Sequence, residues 1–84
     1  DWVMTLSTTV RNFTGRTISG LEVYAAVVDS RGKPLKERTV IVIPDKRPEL
    51  EPNGTVPVNV TLEGMADSDD RANIKMEITA FKLK

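Results

Sequence analysis

Between residues 55 and 62 the chain alternates without a break: Val56, Val58, Val60 and Leu62 against Thr55, Pro57, Asn59 and Thr61. An extended strand points successive side chains to opposite faces, so a period of two gives one apolar face and one polar face. No segment shows the i, i+3, i+4 spacing of an amphipathic helix. The same alternation recurs near the start, where Trp2, Met4, Leu6 and Val10 oppose Thr5, Ser7, Thr9 and Arg11. It recurs again at the end in Ile74, Met76, Ile78 and Ala80. A chain patterned this way must build sheets, because a parallel α/β layout needs helical stretches of about ten residues or more.

Two segments depart from simple alternation. From Leu21 to Val28 one face carries Leu21, Val23, Ala25 and Val27, while the other (Glu22, Tyr24, Ala26, Val28) is mixed. A central strand partly covered on both sides reads like this. After Ile78 the phase changes: Phe81 and Leu83 fall opposite Ile74, Met76 and Ile78, as a bulge or a second covered face would require.

The connections are written in turn chemistry. "NFTGRTISG" reads as a loop, and "DSRGKP" joins two strands through Asp29, Ser30, Gly32 and Pro34. The spacing predicts a third strand over Leu35–Ile43, whose buried face its "VIVI" ending leaves open. Pro44, Pro48 and Pro52 punctuate the next connection, which suits a crossover between sheets better than a hairpin. Pro57 cannot donate to a ladder and assigns its strand to an edge or a bulge. Together these features predict a single all-β domain over residues 1–84: a small antiparallel sandwich of five to seven strands. The opening "DWVM" reads as a piece of a larger protein.

The residue inventory narrows the chemistry. With no cysteine and no histidine there is no disulfide, no thiolate metal site and no imidazole base. Twelve basic and twelve acidic residues cancel, and only Trp2, Phe13, Tyr24 and Phe81 are aromatic. Neither a field nor a stacking platform for nucleic acid follows. Serines and threonines sit at alternating outward positions without a neighbouring base, so no enzyme activity and no cofactor are expected. Asp67, Asp69 and Asp70 are the one cluster resembling a hard-cation site. Ala72 and Ile78 stand where a calcium loop of the EF-hand type needs glycine and glutamate. Asn12, Asn53 and Asn59 each begin a glycosylation-type tripeptide, and Arg31, Lys33, Lys36 and Arg38 form a basic rim diluted by Asp29 and Glu37.

"VRNFTGRTISGLEVYAAVVDSRGKPL" followed by "LEPNGTVPVNVTL" resembles the FxLYD-type domain and related immunoglobulin-like modules of bacterial envelope proteins. The residues carrying the likeness are Val10, Asn12, Val23, Val27, Asp29, Gly32, Leu50, Pro52 and Gly54. The chain departs in having "VVD" for "LYD" and Asn53 inserted before the turn glycine. The resemblance implies an immunoglobulin-like sandwich in an extracytoplasmic protein, tethered to a membrane only through a segment outside this chain. It implies no enzyme activity.

The expected function is a structural or protein-interaction module. With Leu21, Val23, Ala25 and Val27 in the core, Tyr24 and Val28 would face outward and meet Phe81 and Leu83 in one apolar patch. That patch would hold a protein partner or a second copy of the chain. Two alternatives are an extended peptide added at the Pro57 edge, and a loop-borne calcium or carbohydrate site at Asp67, Asp69 and Asp70.

Overall fold

The structure, a computed structural model, describes residues 2–65 and 71–84. They form five strands: β1 (Trp2–Arg11), β2 (Ile18–Val28), β3 (Pro34–Ile43), β4 (Thr55–Met65) and β5 (Asn73–Leu83). All pairings are antiparallel. β1 and β4 make a two-stranded sheet, and β3, β2 and β5 make a three-stranded sheet with β2 in the middle. The chain is all-β, a small sandwich of two sheets.

The predicted alternation sets which residues meet. Leu6, Val56, Val58, Val60 and Leu62 from one sheet pack against Leu21, Val23, Ala25 and Val27 from the other. Their polar alternates face water: Thr5 and Thr61 share a hydroxyl hydrogen bond of 3.2 Å, and the Ser7 hydroxyl donates to Asn59 Oδ1 at 2.7 Å. The core is aliphatic throughout, and Trp2, Phe13 and Phe81 lie exposed outside it. The buried face of β3 carries Val40 and Val42, while Ile41 is exposed. The loop before β2 is shorter than expected, since β2 begins at Ile18, and β4 runs on to Met65.

The proline-rich connection after β3 crosses between sheets as its composition predicts, entering through a cis Ile43–Pro44 bond. It supplies Leu50, fully buried, which exchanges two backbone hydrogen bonds of 2.9 Å with Ile18. Asn12 pins this loop to the one after β1. Its Nδ2 donates to the carbonyls of Arg16 (2.7 Å), Leu50 (3.0 Å) and Glu51 (3.2 Å), and its Oδ1 accepts from the Thr14 amide and hydroxyl. The backbone of Asn12 bonds Asn53 and Gly54 as well.

Candidate functional site

The patch expected from Tyr24, Val28, Phe81 and Leu83 does not form. β5 carries a bulge where Glu22 pairs with Ala80 and Val23 with Ile78, leaving Thr79 unpaired. The extra residue resets the alternation, so Phe81 pairs with Leu21 and Leu83 with Ile18, both core residues. Leu83 packs against the core. Tyr24 and Val28 are on the other face of the sheet, paired with Glu77 and Asn73. Of the two readings of the phase change, the bulge is the one observed.

The outer face around Tyr24 is polar. The Tyr24 hydroxyl donates to Glu37 Oε2 at 2.7 Å, the Thr79 hydroxyl donates to Glu22 Oε2 at 2.9 Å, and Lys75 lies 3.8 Å from Glu77. Ala26 is fully buried, paired with Glu37 on one side and Lys75 on the other. The hydrogen bond to the Glu37 carboxylate holds the Tyr24 phenol above its ordinary pKa, with smaller contributions from burial and from the charges of Glu37 and Glu77. Any stability this bond lends is therefore present below the ordinary phenol pKa of about 10 and lost as pH rises through the higher folded value. Tyr24 is the only tyrosine, so absorbance at 295 nm reports it alone. Its titration is expected above that of free tyrosine, with Glu37→Gln moving it down. A curve indifferent to that substitution would show that the bond does not form in solution.

The apolar surface lies elsewhere, on the inner register of β5. Ile74, Met76 and Ile78 pair with Val27, Ala25 and Val23, all buried. Yet Ile74 is 54% exposed, Ile78 50% and Phe81 56%. Among the described residues three strands face only two, so β5 overhangs the sandwich and part of its inner face is left exposed, while Met76 and Leu83 pack on the core. A crevice of about 280 Å³, lined by Thr8, Val10, Val23, Met76, Glu77 and Ile78, separates it from β1. β1 and β5 do not pair with each other, and among the described residues no strand pairs with the edge that each turns to this opening.

The opposite side, between β3 and β4, also holds a crevice, of about 490 Å³, but its lining is charged and polar, with Arg38, Asp45, Lys46, Asn59 and Thr61 among its walls. Lys36 and Arg38 occupy the inner register of β3, paired with Val27 and Ala25. Arg38 donates to the carbonyl of Thr61 at 3.4 Å, and Arg47 to that of Thr55 at 2.9 Å. With Pro57 in the same strand, the outer edge of β4 is blunted by three of the devices that prevent strand pairing. Pro57 does stand on an edge strand, but that edge is poorly suited to accept a peptide. The basic rim of Lys36 and Arg38 thus acquires a structural role.

Other candidates resolve as structure. Asp29 Oδ1 accepts from the amides of Arg31 (2.9 Å) and Lys33 (2.8 Å), and Gly32 adopts φ 81°, so the central turn is a corner. Asn12 is 1% exposed with its amide committed to three carbonyls, which rules it out as a glycan acceptor in the folded state. Asn53 takes φ 64° in its turn. Asp67, Asp69 and Asp70 lie outside the described residues. Among the described residues no group of three or more acidic side chains is arranged to hold a metal ion.

The inner face of β5 was legible, but its exposure was not. Alternation tells which side chains share a face and not whether another strand lies over them. One signal was available: inner-register charges on one edge strand (Lys36, Arg38) against unbroken apolar residues on the other (Ile74, Met76, Ile78). The candidate site is therefore the open β1–β5 side. Comparison of the chain with protein-family models, with curated proteins and with solved structures returns no match.

Proposed function

We propose that this sandwich is a non-enzymatic interaction module of immunoglobulin-like type, and that it binds by adding a strand at the open side between β1 and β5. The observation that carries this reading is the half-exposed row Ile74, Ile78 and Phe81, whose β2 partners Val27, Val23 and Leu21 are all buried core residues. An edge strand with a regular stretch and an exposed apolar inner face can take up an extended backbone that reaches it. Immunoglobulin sandwiches carry about seven strands, and five are present among the described residues. The sequence resemblance supports the immunoglobulin-like assignment and an extracytoplasmic location for the parent protein.

A short extended peptide of alternating Val and Thr is a suitable probe. At millimolar concentration it is expected to shift and protect backbone amides of β1 and β5 in ¹⁵N spectra, with β4 unaffected. Perturbation confined to β3 and β4, or none, would overturn the reading.

A further inference from the structure

Resting on the strand-addition reading, we infer that the added strand is β5 of a second copy of this chain, antiparallel, with Met76 facing the partner's Met76. The uninterrupted ladder of β5 on β2 runs from Asn73 to Ile78, and the bulge at Thr79 ends it. Met76 lies next to the middle of this regular stretch. Centring there sets Ile74 against the partner's Ile78 on the inner face, twice over by symmetry. On the outer face it sets Lys75 against the partner's Glu77, again twice.

The charges choose the register. Centring on Lys75 or Glu77 would put like charges face to face, which destabilises cross-strand pairs. Centring on Ile78 would leave Lys75 opposite Phe81 and Glu77 opposite Thr79. Centring on Ile74 would draw in Arg71, which precedes the strand and lies over the Trp2 ring at 4.5 Å. Only the Met76 register matches both charges and both isoleucines. Within one chain Lys75 and Glu77 make a long 3.8 Å contact with side chains 57% and 50% exposed, leaving both available to a partner.

The two-fold axis runs perpendicular to the sheet, so inner face continues into inner face. The product is one six-stranded sheet, with the two β1 strands flanking the shared apolar row. The interface is self-complementary and closed, which limits assembly to a dimer. It is also small, placing it in the weak, transient class.

Sedimentation equilibrium from micromolar to millimolar concentration tests this. Wild type is expected to dimerise, and Lys75→Glu or Glu77→Lys each to weaken dimerisation about tenfold through two like-charge pairs. The double variant Lys75→Glu/Glu77→Lys restores opposite charges and is expected to recover wild-type association. Mixing the two single variants should give a heterodimer stronger than either homodimer. Both residues are exposed, and unchanged melting of each variant separates association from folding. A wild type that stays monomeric at millimolar concentration would overturn the dimer while leaving peptide addition at β5 intact. A dimer indifferent to both charge reversals would overturn the register.

Discussion

Asn12→Ala is expected to cost about 3–4 kcal/mol in urea unfolding, roughly half of what a domain of this size commands. The residue is 1% exposed, and its side chain satisfies three carbonyls and the amide and hydroxyl of Thr14. A net hydrogen bond contributes only about 1 kcal/mol, but a buried group left without a partner costs about 1–3 kcal/mol. Alanine orphans several at once, at the junction where the loop after β1 meets the loop before β4. Asn12→Asp is the sharper experiment. It keeps the size and the acceptor facing Thr14, yet it turns a carboxylate oxygen toward the carbonyls of Arg16, Leu50 and Glu51. Aspartate should therefore be no better than alanine at neutral pH, with partial recovery in acid as the carboxyl gains a proton to donate. Thr14→Val removes one of the Asn12 bonds together with the hydroxyl's two contacts to the Arg16 backbone, and should cost about 1–2 kcal/mol. An Asn12→Asp variant within 1 kcal/mol of wild type would show that the amide donors do not hold the two loops.

Asn12 also marks where sequence reasoning stops. Its tripeptide, Asn12-Phe13-Thr14, invites a reading as a glycan acceptor, because motif spacing is local and two of the three carbonyls that consume the amide are 38 and 39 residues away. The strands were legible since alternation is a local consequence of the pleat. The corner at Asp29 was legible for the same reason: its hydrogen bonds span two and four residues. The central position of β2, the crossover after β3 and the edge position of Pro57 also follow from local chemistry. What failed was the phase of β5 beyond Thr79. One unpaired residue moves Phe81 and Leu83 to the core-facing side; the phase change after Ile78 is legible and a bulge is one of its two readings, but no residue type at Thr79 or Ala80 chooses between them. The apolar patch drawn on the outer face inherited that error. Tyr24 was read as a hydrophobic anchor, whereas the fold supplies Glu37 on the neighbouring strand to take its hydroxyl proton donor.

The second large effect separates core from open surface using two residues of similar size. Leu50→Ala is expected to cost about 3 kcal/mol, whereas Ile78→Ala should cost well under 1.5 kcal/mol. Leu50 is fully buried and belongs to the aliphatic cluster, although it comes from a loop rather than a regular strand. Truncating it removes transfer free energy and leaves a cavity that the surrounding strands cannot close. The two backbone bonds to Ile18 anchor the site in place and prevent collapse around the void. Ile78 pairs with buried Val23 and shares its face, so by pattern alone the two residues are equivalent core positions. Ile78 is nevertheless half exposed, so truncation removes less buried surface and makes no enclosed cavity. The same substitution should weaken association measurably, since Ile78 faces Ile74 of the second copy in the proposed dimer. Stability and association therefore move apart: Leu50→Ala destabilises the domain with little change in pairing of what remains folded, and Ile78→Ala loses pairing while staying folded. Equal losses of stability for the two would mean that β5 is covered in solution, and the open side would then not be a binding surface.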